Sequence, residues 1–330
     1  MKKILNDSRN VAEEAIEGMV LSQPQLLRRI PSRKIVVRAS SPVQGKVSLI
    51  CGGGSGHEPA HTGYVGKGML DAAVMGDVFT SPAPGDVMTA IQSVSGDAGV
   101  LLIIWNYGGD VMNFTSAEEA ARNSGISVDH VIVNDDVAIK DAQKRRGVGG
   151  TIFVEKIAGA EAERRKSLAE VKRVAQKVIG NVRSMGIALT PCIVPAVGKP
   201  TFTIGEQEIE LGIGIHGEPG IQRSGMMNAS EIAEYLTRNI TSDAKLSSGD
   251  EVALMVQGMG GTSNMEKFIL FKDAYGELDG LGVKVVDSYI GEYTPSMEMA
   301  GAQITILKVD NELKRLLEEP TEAPGWHAWS

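Results

Sequence analysis

Residues 52–56, Gly52-Gly53-Gly54-Ser55-Gly56, bar a helix from one definite place in the chain and so constrain what can be built around it. Glycine loses the most backbone freedom on entering a helix, and its missing Cβ lets the chain turn sharply and bring N–H groups close to a neighbour. The preceding Lys46-Val47-Ser48-Leu49-Ile50 reads as a short buried strand. The glycines are therefore expected as a loop at a strand's end, where open α/β sheets bind ligands. His57, Glu58, Pro59 and His61 follow at once, which makes residues 51–61 a candidate site.

The rest of the chain alternates strand and helix patterns. An amphipathic helix is expected over residues 11–20, on Val11, Ala15, Ile16, Met19 and Val20, with Ser8 as its cap. Strand-like runs follow at 34–38, 46–50, 70–75, 100–105 and 130–134, with helices at 86–94 and 116–123 between the later ones. Such alternation predicts a largely parallel, covered sheet. Residues 151–185 read as one or two long helices, with Leu168, Val171, Val174, Ala175, Val178 and Val182 on one face. From Gly186 the chain becomes extended and proline-broken, through Pro191 and Pro195, so a boundary is placed there. Beyond it, 201–204 and 208–215 alternate like a hairpin, helices are expected at 229–240, 264–278 and 311–318, and strands at 251–256, 283–289 and 303–309. The expected fold is two α/β domains, 1–186 and 187–330, each a mixed or largely parallel sheet flanked by helices.

Several functions are set aside by composition. A net charge of −8 with no basic run argues against a nucleic-acid-binding surface. The longest strongly apolar run, 98–105, is too short to cross a bilayer. Asn6-Asp7-Ser8-Arg9-Asn10 stands where a signal peptide would need an apolar region. Cys51 and Cys192 alone imply no disulfide framework or thiolate metal site. A cytoplasmic protein of 330 residues, 42% hydrophobic, is the simplest expectation.

Three signatures near residues 51–61 fail on inspection. A P-loop needs Lys and Ser or Thr after its last glycine, but His57-Glu58 follow Gly56. A dinucleotide fingerprint needs a glycine where Pro59 stands. His57-Glu58-Pro59-Ala60-His61 matches H-E-x-x-H literally, which would make His57 and His61 the ligands of a zinc hydrolase. That motif works only on a continuous helix, which the glycines and Pro59 oppose. Two further places carry chemistry. His216, in Gly212-Ile213-Gly214-Ile215-His216-Gly217-Glu218-Pro219-Gly220, is flanked by glycines at a strand's end; it is either a surface turn residue or a base, ligand or nucleophile. Asp110, in 106–114 after the most apolar strand, is either a helix N-cap or a general base. Ser81, beside Pro82, is a weaker signal; Asp135-Asp136 resembles a metal-binding pair, but strand-end aspartates are more often caps or turn formers and are read so.

Taken together, residues 52–61, Val78-Phe79-Thr80-Ser81-Pro82, 106–114, 145–148, 210–220 and 297–301 resemble, in order along nearly the whole chain, the dihydroxyacetone-binding K subunit of dihydroxyacetone kinase. The resemblance implies a phosphotransferase subunit that binds a small ketose as a covalent hemiaminal on His216. It implies Asp110 as acid/base, His57 assisting, substrate contacts from Gly54, His57, Ser81 and Asp110, and Trp105 at a further substrate-binding position. The family pattern has a substrate-contacting lysine where this chain has Trp105, and a longer loop before Arg145. No metal or cofactor is implied on this chain. ADP or ATP is expected on a separate nucleotide-binding L-type subunit recharged by the sugar phosphotransferase system, and the K subunit is expected to be a homodimer. The alternative is a non-catalytic paralogue that senses dihydroxyacetone as co-activator of a transcription regulator.

Overall fold

A computed structural model describes residues 2–326, and within them the chain forms two compact units. The first comprises residues 2–133, Thr151–Ile179 and Leu313–Trp326, and the second Asn134–Gly150 and Gly180–Glu312. The boundary expected at residue 186 falls inside a strand of the second unit.

In the first unit, α1 (Val11–Ser22) leads into β1 (Leu27–Arg29), β2 (Ile35–Arg38), β3 (Ser48–Ser55) and β4 (Ala72–Val78). There follow α2 (Pro84–Val94), β5 (Val100–Trp105), α3 (Gly108–Asn123), β6 (Val128–Val133), α4 (Gly150–Glu163) and α5 (Leu168–Asn181). The helix α1 is capped at Asn10, not Ser8, without a side-chain bond. The described strands form one sheet in the order β1-β2-β4-β3-β5-β6. Strands β4, β3, β5 and β6 run parallel, and β1 and β2 form an antiparallel edge. Strands β3 and β5 are buried along their whole length, as expected for a sheet covered on both faces. One face packs Ile50, Val74, Leu102 and Ile104 against Val87, Ile91, Phe114 and Ala117 of α2 and α3. The chain leaves β3 for β4 on one side and β5 for β6 on the other, so the carboxyl ends of β3 and β5 form a topological switch point.

The glycine run is not the expected loop, because Gly52, Gly53 and Gly54 lie within β3. Gly52 and Gly53 pair with Val74 and Met75 of β4. A Cβ on Gly52 would lie 2.0 Å from the Val74 carbonyl oxygen, and one on Gly54 2.6 Å from the Phe79 Cα. Close approach of neighbouring backbone thus demands glycine here, and the turn comes only at Gly56, where φ is +101°.

The second unit contains β7 (Val182–Ala188), β8 (Glu208–Leu211), β9 (Gln222–Gly225), α6 (Ala229–Ala244), β10 (Glu251–Gly258), α7 (Asn264–Gly280), β11 (Lys284–Gly291) and β12 (Gly301–Lys308). Its sheet runs β11-β10-β12-β7-β8-β9, with only β10 and β11 parallel. Two expectations fail here. Residues 182–185 belong to β7 rather than a helix, since Val182 pairs with Leu307 and Met185 with Ile304. The hairpin of 201–204 with 208–215 does not form either; β8 pairs with β7 and β9. Helices α6 and α7 cover one face, where Leu236, Ile240, Leu270 and Leu278 meet Ile187, Leu254 and Ile304. Each starts with a reciprocal capping box, Asn228 with Glu231 and Ser263 with Glu266. The last helix, α8 (Asn311–Glu318), belongs from Leu313 onward to the first unit and buries Leu313, Leu316 and Leu317. Among the described residues, no helix is long and apolar enough to cross a membrane.

Candidate functional site

Three of the expected site groups of the first unit come from carboxyl ends of its parallel strands. Beyond Gly56 at the end of β3, residues 57–64 form turns and a short 3-10 segment, Thr62–Tyr64, so the helix required by H-E-x-x-H is not made. His57 is fully buried. Its ring stacks on Phe79 at 4.9 Å between centroids and meets Trp105 edge-on at 5.4 Å. Trp105, the last residue of β5, is also fully buried; its indole N–H donates to Thr151 Oγ1 at 2.7 Å.

The end of β4 supplies Phe79 and Ser81. Phe79 holds a left-handed φ of 56°, sparsely allowed for a bulky residue, and its N–H donates to the Ser55 carbonyl at 2.9 Å. Asn113 Nδ2 donates to the Pro82 carbonyl at 2.9 Å and ties this turn to α3. Asp110 is not the N-cap, a position taken by Tyr107; it is the third residue of α3, buried, in the first turn. There the helix N-terminus favours its negative charge. Ser81 Oγ donates to Asp110 Oδ1 at 2.5 Å. Asp110 therefore stands oriented by a hydroxyl, as a proton acceptor would need to be.

Behind this layer, Cys51 Sγ lies 3.7 Å from His61 Nε2, and His61 Nδ1 lies 2.6 Å from Glu155 Oε1. All three residues are fully buried. The 2.6 Å separation is a hydrogen bond, too short for two ligands of one tetrahedral ion. Burial, reinforced by the Glu155 charge, pushes the Cys51 thiol well above its ordinary range, which makes it inert as a nucleophile.

In the second unit, His216 sits in the turn between β8 and β9. Its backbone N–H donates to Glu218 Oε2 at 2.9 Å, and its ring Nδ1 lies 2.9 Å from Glu218 Oε1. Gly214 leaves room for that carboxylate, since a Cβ there would lie 2.1 Å from Glu218 Oε2. Burial works to raise the Glu218 carboxyl, but the hydrogen bond and charge of His216, with Arg146 nearby, outweigh it and hold it down at about 2. Arg146 Nε donates to Asp136 at 2.7 Å and Nη2 to the Gly212 carbonyl at 2.8 Å. Arg145 donates twice to Asp243. Asp135 accepts from the N–H groups of Val148 and Gly150, and Asp136 from that of Ala138, so both shape turns as expected.

Sequence patterns thus pointed to Gly54, His57, Ser81, Trp105, Asp110 and His216. The structure gathers the first five within one unit and puts His216 in the other. Phe79, Thr151 and Glu218 were not singled out. Only Glu218 left a trace, two residues after a glycine-flanked histidine.

The model of a family described as the Dak1 domain matches residues 17–325. The chain is 47% identical over 330 residues to the Listeria innocua PTS-dependent dihydroxyacetone kinase 1, dihydroxyacetone-binding subunit DhaK, covering 99% of this chain and 100% of that protein. It is 39% identical to the Escherichia coli PEP-dependent counterpart, over 98% of this chain and 99% of that one. Among solved structures, the dihydroxyacetone kinase of C. freundii aligns with a TM-score of 0.89 at 35% identity, over 99% of this chain and 60% of that one. The dihydroxyacetone kinase operon co-activator Dha-DhaQ aligns at 0.90 and 34% identity, over 95% of this chain and 98% of that one.

Proposed function

The chain belongs to the Dak1 family, and on that premise we propose that it is the dihydroxyacetone-binding subunit of a phosphotransferase-system-dependent dihydroxyacetone kinase. The observation that carries this reading is the His216 turn, in which an ionised carboxylate faces Nδ1. A carboxylate can only accept, so in the neutral ring the proton sits on Nδ1 and the lone pair on Nε2. That nitrogen adds to the ketone carbonyl and forms a hemiaminal, which polyols without a carbonyl cannot do.

To Asp110, oriented by Ser81, we assign removal of the proton from the hydroxyl that receives the phosphoryl group. His57 assists, and the backbone at Gly54, with Ser81, holds substrate oxygens. The phosphoryl donor is ADP/ATP carried by a separate nucleotide-binding subunit, and this subunit acts as a homodimer. The test mixes the purified chain with dihydroxyacetone and the phosphorylated nucleotide subunit, and ketone phosphate should form. Its absence at every subunit ratio would sink the kinase reading.

A second reading is favoured by Trp105, whose indole is buried and bound to Thr151 where the family pattern has a lysine. In it the chain keeps the ketone adduct but serves as co-activator of a transcription regulator. Co-purification with such a regulator in a ketone-dependent manner, without ketone phosphate formation, is its signature.

A further inference from the structure

Glu218 could be no more than a turn former. Its carboxylate accepts the N–H of the residue two positions earlier, as Glu58 does for Gly56 at 3.1 Å. At Glu58 both carboxylate oxygens share that N–H, each at 3.1 Å, whereas at Glu218 Oε2 alone takes it. At Glu218 the other oxygen, Oε1, reaches the ring Nδ1 of His216 at 2.9 Å. Gly214 must lack a side chain for the carboxylate to sit there. Arg146, itself fixed by Asp136 and the Gly212 carbonyl, places positive charge near the same carboxylate.

We infer that Glu218 is the positioning residue that makes His216 a nucleophile and stabilises the adduct it forms. This rests on the hemiaminal reading above. The step balances as follows. The Nε2 lone pair forms a bond to the carbonyl carbon, the carbonyl π pair moves to its oxygen, and that oxygen takes one proton from solvent. The imidazole, still protonated at Nδ1, becomes a cation, and the Glu218 carboxylate forms a neutral pair with it. Without that carboxylate the ring is free to carry its proton on Nε2, which removes the attacking lone pair, and the cationic adduct loses its counter-charge. A charge-assisted hydrogen bond of this kind corresponds to about a tenfold to hundredfold change in adduct formation.

The test has two parts. Imidazole nitrogen chemical shifts of His216 in the unmodified protein should show the proton on Nδ1 and move toward the Nε2–H form in Glu218→Gln. A proton on Nε2 in the unmodified protein overturns the proposal without relying on any variant. Intact-mass titration with dihydroxyacetone should then show one added ketone on the unmodified chain, with about tenfold to hundredfold weaker adduct formation in Glu218→Gln and partial rescue in Glu218→Asp. Equal adduct formation in Glu218→Gln and the unmodified chain overturns the role of Glu218 while leaving the ketone adduct standing. No added mass on the unmodified chain overturns the adduct itself, and Glu218's role with it.

Discussion

Residues 52–59 and 212–219 both run from glycines to a histidine and then a Glu-Pro pair, yet Gly52, Gly53 and Gly54 of the first lie in a buried strand and the glycines of the second in and around a turn. In each, the glutamate folds back onto the N–H two residues earlier. The first glutamate directly follows its histidine, so the carboxylate meets Gly56 and leaves His57 among Phe79 and Trp105. In the second, Gly217 intervenes, so the same device lands on His216 and takes hold of its ring as well. One inserted residue separates a histidine packed between aromatic rings from one paired with a carboxylate. The first suits orienting work in an apolar setting, the second covalent attack.

The largest effect should come from exchanging the two histidines' roles. His216→Ala is expected to abolish the mass gain with dihydroxyacetone entirely, while His57→Ala keeps it; intact-mass spectrometry of both variants decides, and a gain in His216→Ala would mean the nucleophile is misassigned. Next, Asp110→Asn should lower ketone phosphate formation by about a hundredfold to ten-thousandfold with the adduct preserved, read in a coupled assay beside the mass measurement. The glycines should then separate by stability. Gly52→Ala drives a methyl into the Val74 carbonyl and should cost at least about 2–3 kcal/mol in denaturant unfolding. Gly214→Ala meets first the end of the Glu218 side chain, which can swing away where a backbone carbonyl cannot, so it should cost less stability and weaken the adduct instead.

The smallest effect is a pH dependence. Glu218 is held at about 2, below its ordinary 4.5, so the folded state binds that proton less readily than the unfolded one. Its stabilisation is fully present above pH 4.5 and is lost as pH falls toward 2. With allowance for solvent screening it amounts to about 1–2 kcal/mol. Acid unfolding of Glu218→Gln should lack that component, and an unchanged acid limb would show the pair to be energetically idle.

Much of this is legible in the sequence. The amphipathic run 229–240 appears as a helix because its apolar spacing is a local property, and the run 264–278, opened by the Ser263–Glu266 capping box, is helical as well. The apolar run 100–105 appears as a strand buried on both faces. Errors fell where a remote partner decided the outcome. Val182 continues the helical spacing of Val174 and Val178, but its hydrogen bonds are made with β12, more than a hundred residues away in sequence. Asp110 reads as a cap because a helix follows it, yet α3 starts earlier, at Gly108, and turns its carboxylate toward Ser81.

By itself, then, the sequence determined two α/β halves, the family and the residues with chemistry to offer, because periodicity and residue type are written in neighbouring positions. Only the tertiary structure decided that Gly52–Gly54 are strand rather than loop, that Trp105 spends its N–H on Thr151, and which glutamate holds which histidine. Strand ladders and side-chain partners are set by close approach between distant segments, and a backbone pressed within 2.0 Å of where a Cβ would stand leaves no mark in local spacing beyond the glycine itself.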